Sequence, residues 1–293
     1  MERKERIDAL GAVLLVSLAM VMGLGQVFIK MVNAEMGPIF QAGPRSACAL
    51  PLVLAFALIT PKRLSLTDGT LLPGLFCGCF FALEFLLLYT ALDHTTVSRT
   101  AVLFYNMPVW VALWAHFLIP GEQMSRVRAL GLVLAVGSVA LAFWRGGSAS
   151  AGALKGDLMA LGGAMCWAAV PYFARMTRLS RAVPEMQLLY QLGVSAVILT
   201  AAAHAFGPLL GEMTLGLWAM FGFRVVVVVA IGFLMWFWIL KHYPASDMAS
   251  FGFLAPLSAM LFGWLILGET ITWTILAALA LVGTGIVLVN RQG

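Results

Sequence analysis

The sequence predicts an all-α polytopic membrane protein of ten transmembrane helices, arranged as two inverted five-helix repeats. Three observations lead there. Of the 293 residues, 62% are hydrophobic and 11% charged, against about 25% charged in ordinary soluble domains. A water-exposed surface could not be solvated with so few polar groups. The apolar residues also come in runs of about twenty, which at about 1.5 Å per residue span a hydrocarbon core of about 30 Å. Finally, the stretches on either side of the chain's midpoint align with one another.

The elements follow from the polar breaks. After "MERKERID" the apolar run outlasts the roughly 7–15 apolar residues of a secretory signal, so residues 8–29 read as a retained first helix. The second, 37–60, opens at Gly37 and Pro38 and closes at "PKRLSLTDG". The third, 70–92, ends at "LDHTT"; 96–119 then reaches "PGEQMS", and 127–144 reaches "RGGSASAGALKG". That Gly/Ser/Ala-rich stretch has the composition of a linker. Beyond it, 155–176 ends at "RMTRLSRAV", 184–206 opens on Pro184, 216–240 ends at "KHYPAS", and "GETIT" separates 245–267 from 272–290. The expected division is a first repeat at 1–146, a linker at 147–155 and a second repeat at 156–293.

An even number of spans puts both termini on one side. Arg3, Lys4, Arg6, Lys62, Arg63, Arg126, Arg128, Arg175, Arg178, Arg181, Lys241 and Arg291 fall on that side, against Lys30, Arg99, Arg145 and Lys155 on the other. Positive loops stay inside, so both termini are expected in the cytoplasm, with the protein in a bacterial inner membrane. The same bias accounts for the net charge of +5 and pI near 9.2 without nucleic acid.

Enzymatic chemistry finds little support. HExxH, a metal-binding acidic cluster and a pair of buried carboxylates are all missing from the sequence. His94, His116, His204 and His242 lie far apart, and Cys48, Cys77, Cys79 and Cys166 fall inside apolar runs, which argues against a zinc site or a disulfide framework. No cofactor or metal is expected. The expected partners are a small-molecule substrate and the lipid bilayer, and a homodimer is compatible with the sequence.

The repeat is legible residue by residue. "GAVLLVSLAMVMGLGQVFIKM" at 11 aligns with "GDLMALGGAMCWAAVPYFARM" at 156, and "GPIFQAGPR" at 37 with "VPEMQLLYQ" at 183. These match Gln41 with Gln187 and Arg45 with Gln191. "HTTVSRTAVLFYNMP" at 94 aligns with "HYPASDMASFGFLAP" at 242, matching Pro108 with Pro256; "PGEQMS" at 120 aligns with "LGETIT" at 267, matching Glu122 with Glu269. With five helices per copy, the second copy must enter from the opposite side. Such inverted repeats give many transporters two related states about a central site.

The segment "YTALDHTTVSRTAVLFYNMPVWVALWAHFLIPGEQMS" and its echo "LKHYPASDMASFGFLAPLSAMLFGWLILGETIT" resemble the ends of the two halves of EamA-type carriers in the drug/metabolite transporter superfamily. Within it the chain is most similar to the YddG-type exporters of aromatic and other amino acids. The resemblance implies a central cavity lined by helices one to four and six to nine, with the fifth and tenth outside. Arg99 and Glu84 depart from the general pattern.

Charges at membrane depth usually face an interior or a water-filled cavity. Arg45 and Glu84 lie at the same depth, and the expectation is a pair, direct or through water, with Gln41 one turn from Arg45. Such a pair is either structural or freed to hold a substrate carboxylate or amine. Arg224 lies at similar depth and either snorkels or lines the pathway; Lys30 and Arg99 are expected to snorkel. Gln187 and Gln191 either satisfy backbone groups between helices or line the inner cavity. Tyr89, Tyr105, Trp110, Trp167 and Tyr172 are candidates for an apolar wall with polar tips. Pro108, Pro256 and Pro171 read as mid-helix bends used in gating, and Glu122 and Glu269 as fold markers near the helices that follow them. The favoured reading is an amino-acid exporter working by alternating access. The alternative is a proton-coupled exporter of organic cations, multiple drugs or other small metabolites.

Overall fold

Ten apolar helical segments follow one another in the computed structural model, which describes residues 7–59, 64–118, 125–144, 151–243, 248 and 251–290. They are α1 (Ala9–Val32), α2 (Pro38–Ile59), α3 (Leu71–His94), α4 (Val97–Leu118), α5 (Arg126–Phe143), α6 (Ala151–Met176), α7 (Pro184–Ala203), α8 (Leu215–His242), α9 (Leu254–Leu267) and α10 (Trp273–Asn290). The first eight are long and apolar enough to cross a membrane, and α9 and α10 are shorter apolar helices. In hydrocarbon every backbone amide must bond within its own segment, which is why helices are used throughout.

Packing reveals the repeat in space. α2 lies on α7, α4 on α9 and α5 on α10; α1–α9 is matched by α6–α4, and α3–α6 by α8–α1. Each contact maps onto another when helix n is exchanged with helix n+5, as a two-fold relation between the halves requires. Small residues let the backbones meet. A Cβ on Gly131 would stand 2.8 Å from the Gly285 carbonyl at the α5–α10 crossing, and one on Gly43 would run into Thr200 at the α2–α7 crossing.

The matched prolines mark interruptions. α4 breaks into Val97–Phe104 and Met107–Leu118, so Pro108 is the second residue of a new helical piece. Asn106 Nδ2 donates to the Val102 carbonyl at 2.8 Å across that break. Pro256 is in the first turn of α9, preceded by a turn at 251–253. The missing N–H costs least there, so Pro256 starts a helix and does not bend one from within. Pro171 does lie inside α6.

At the end remote from the termini, contacts cross between the repeats. Glu269, just past α9, accepts from Val97 N at 2.7 Å, Ser98 N at 3.0 Å and Ser98 Oγ at 2.9 Å. It therefore caps α4 of the other repeat and not the helix that follows it, which corrects the sequence expectation. Glu122 lies outside the described residues. Lys30 donates to the Thr95 carbonyl and stands 3.9 Å from Glu269 Oε1. Arg99 grips Asp157 with Nη2–Oδ2 at 2.7 Å and Nε–Oδ2 at 3.2 Å, and Thr95 Oγ1 donates to the same carboxylate at 2.8 Å. Neither Lys30 nor Arg99 snorkels, because each finds an acid from the opposite repeat. Beside them Met36 forms a bridge with Leu210, and Gly37 N donates to the Leu209 carbonyl at 3.1 Å.

Asp157 is fully buried, and removing one partner of a buried ion pair costs about 3–5 kcal/mol. Asp157→Ala should therefore lower the unfolding midpoint in detergent markedly. Lys30→Met should lower it far less, since Lys30 is 29% exposed and its carboxylate is held by α4 amides. Equal midpoints for the two variants would contradict this account of the clamp.

Candidate functional site

α2 sets Arg45 in place through its neighbours. Gly43 presses against α7, and two residues further on, about 200° round the helix, Arg45 projects towards α3. Pro44 beside it, and Pro51, interrupt the α2 hydrogen-bond ladder. On α3 the residues Phe81, Phe85 and Tyr89 recur every four positions and so share one face. The Arg45 guanidinium lies over that stripe, 3.8 Å from the Phe85 ring centroid and 5.9 Å from those of Phe81 and Tyr89. Its Nη2 donates to Ser46 Oγ at 3.1 Å.

Arg224 arrives from the other repeat. It opens a π-helical stretch, Arg224–Ile231, in the middle of α8, a geometry that collects at functional sites. Nη1 donates to Gln41 Oε1 at 2.5 Å, Nη2 donates to the Tyr89 hydroxyl, and the guanidinium carbon is 4.7 Å from the Tyr89 ring centroid. Gln41 passes the bonding on: its Nε2 donates to Asn33 Oδ1 at 2.9 Å, and Asn33 Nδ2 donates to the Tyr89 carbonyl at 3.0 Å. The ring of bonds closes through α1, α2, α3 and α8.

This centre is shut off from solvent. Arg45 and Arg224 are each 2% exposed, and Gln41 and Tyr89 are fully buried. The Nε atoms of both arginines have no partner among the described residues. Cation–π contact with Tyr89 and Phe85 offsets part of the desolvation but supplies no acceptor for those N–H groups.

Glu84 does not pair directly with Arg45. It is 3% exposed with Oε2 unpartnered. Arg45 acts on it electrostatically, yet no ion pair within 4.0 Å joins them. The reason is angular: Glu84 is one residue from Phe85, about 100° round the helix. When Phe85 faces Arg45, Glu84 lies on the neighbouring face of α3, where a Cβ on Gly163 of α6 would stand 3.5 Å from the Glu84 carbonyl. Arg224, for which snorkelling was one expectation, is buried instead.

The remaining candidates disperse. Trp167 stacks on Phe104 at 4.9 Å with Tyr105 edge-on at 5.8 Å, forming an aromatic group between α4 and α6. Tyr172 meets Trp114. Trp110 faces α5, lining a small apolar cavity with Leu132 and Ala135, away from the arginines. Gln187 spends its amide on the carbonyls of Leu179 and Ala182, both at 3.1 Å, and so closes the short turn before α7. Gln191 is half-buried and has no hydrogen-bond partner among the described residues. Asn33, Phe81 and Phe85 belong to the centre and were missed. The four-residue aromatic spacing on α3 was the available signal.

Truncating Gln41 leaves Arg224 Nη1 and Asn33 Oδ1 buried without partners, which costs about 1–3 kcal/mol per unsatisfied group. Gln41→Ala should lower the thermal unfolding midpoint more than Gln187→Ala, whose carbonyl partners lie in a half-buried turn. A smaller loss for Gln41→Ala in detergent would mean that the ring of bonds contributes little.

Comparison with known proteins bears on all of this. The model of the EamA-like transporter family matches residues 9–144 and again residues 154–291. Two relatives are the uncharacterized transporters YoaV and YvbV of Bacillus subtilis (strain 168). YoaV is 26% identical over 277 residues, covering 93% of this chain and 94% of the relative. YvbV is 27% identical over 286 residues, covering 96% and 92%. A crystal structure with 18% identity superposes with a TM-score of 0.65 over 94% of each chain, a likeness of fold.

Proposed function

The chain belongs to the EamA-like transporter family, in the drug/metabolite transporter superfamily, and from that premise we propose that it exports amino acids, aromatic and other apolar ones included. It does so across a bacterial inner membrane by alternating access. The halves 1–146 and 156–293, joined by 147–155, are the bodies that exchange conformations, and both termini lie in the cytoplasm.

The observation that carries this reading is the centre itself, where two buried guanidiniums from opposite repeats lie against an aromatic stripe with N–H groups left over. A soluble core would have no use for such an arrangement. A carrier that takes up a carboxylate with an apolar body needs it, because the charge and the side chain are then both received.

One observation favours the alternative of a proton-coupled exporter of organic cations: Glu84 is a buried carboxylate with an unpartnered oxygen. A single assay separates the two. In liposomes preloaded with unlabelled amino acid, the purified protein should accumulate labelled tryptophan or methionine by counterflow with no pH gradient imposed. Uptake confined to a quaternary ammonium dye, and dependent on a pH gradient, would replace the amino-acid reading with the cation one.

A further inference from the structure

We propose that Arg45 and Arg224 act as one clamp on a single carboxylate of the substrate, so that an anionic group is the obligatory recognition element and an ammonium is not. The proposal deepens the exporter reading and rests on it for the direction of transport only. The binding chemistry follows from the centre alone.

The guanidinium carbons of Arg45 and Arg224 stand 5.9 Å and 4.7 Å from the centroid of the same Tyr89 ring. Like charges side by side in a low dielectric repel strongly, so an arrangement this dry calls for an anion between them. Among the described residues no acid stands within 4.0 Å of either guanidinium. Asp157 is gripped by Arg99, and Glu269 is spent on the α4 amides. Glu84 lies on the neighbouring face of α3. In formal charge the centre holds two cations against that one acid. One carboxylate makes up the difference.

Donor geometry agrees with the charge. Arg45 Nε and Arg224 Nε are buried and unpartnered, and Arg45 has only Ser46 as a hydrogen-bond acceptor among the described residues. A carboxylate has two oxygens and can take an N–H from each arginine, held in the fixed planar direction that a guanidinium offers and an ammonium does not. Gln41 and Tyr89 hold Arg224 at the right place from the neighbouring repeat. Since α2 belongs to one half and α8 to the other, the bound carboxylate bridges the bodies that must separate. It holds both arginines only while the centre is closed, and the differential affinity that ligand-driven closure requires is thereby supplied.

The test compares three molecules with one ring system. Counterflow of labelled tryptophan into proteoliposomes is competed with tryptophan, with indole-3-propionate, which lacks the amine, and with tryptamine, which lacks the carboxylate. The clamp predicts that indole-3-propionate competes and tryptamine does not. Arg45→Lys and Arg224→Lys should each weaken competition by the carboxylates about tenfold or more, because charge is kept and the fork is lost. For each variant, size exclusion checks the fold, and the thermal shift produced by indole-3-propionate gives a readout independent of transport. Competition by tryptamine with none by indole-3-propionate would overturn the clamp and leave an exporter standing. If tryptophan is not transported but indole-3-propionate still raises the unfolding midpoint in wild type and not in the lysine variants, the clamp stands and the amino-acid reading falls. Unchanged competition in both lysine variants would overturn the clamp outright.

Discussion

A cation placed in hydrocarbon must be answered by something, and this chain answers its buried cations in two different ways. Near the end remote from the termini, Arg99 meets Asp157 and Lys30 stands by Glu269, each acid coming from the opposite repeat. Deeper in, Arg45 and Arg224 meet aromatic faces, hydroxyls and an amide among the described residues. The first arrangement closes the structure upon itself. The second leaves a charge deficit where the repeats face each other, and the rest of the architecture supports that deficit without cancelling it.

The support is local and specific. Gly43 lets α2 lie against α7 and thereby aims Arg45 at α3. The stripe of Phe81, Phe85 and Tyr89 then gives both guanidiniums a surface, each ring also packed on its neighbour along the helix. Asn33 and Gln41 satisfy one another and anchor Tyr89 and Arg224. The π-helical stretch after Arg224 is built from five consecutive valines. Identical side chains there tolerate the altered backbone spacing, because whichever valine faces α1 or α2 has the same shape.

How much of this could be read from the sequence depends on which physical quantity each feature needs. Span number needs only hydropathy and length, and those are set by the bilayer, so the ten segments were legible. Azimuth was not. α3 is apolar nearly all round, so no periodicity distinguishes the face carrying Phe85 from the face carrying Glu84, and equal depth alone does not tell direct contact with Arg45 from a pairing through water. Partners from the other repeat were hidden for a related reason: Asp157 and Glu269 are remote in sequence from Arg99 and Val97, and only the packing of α6 and α9 on α4 brings them together. The internal alignment did match Pro108 with Pro256. It did not reveal that both sit where a helix restarts, because a proline in the first turn and a proline in mid-helix look alike in sequence.

The location of the cross-repeat contacts decides what it costs to open the structure at that end. Glu269, Lys30 and Arg99 lie at or near helix ends, and Asp157 about two turns into α6, all within reach of water if the repeats part as proposed. Their hydrogen bonds can then be exchanged for solvent bonds, and such exchanges are worth only about 0.5–1.5 kcal/mol each, or about 1.5–3 for charged groups. The same bonds placed at mid-membrane would be broken against hydrocarbon, where each unsatisfied group costs several kcal/mol. A carrier working by alternating access, as proposed above, is served by polar contacts that water can replace at the end that opens. Along these helices the ion pairs lie towards that end and the arginines on aromatic rings lie deeper in.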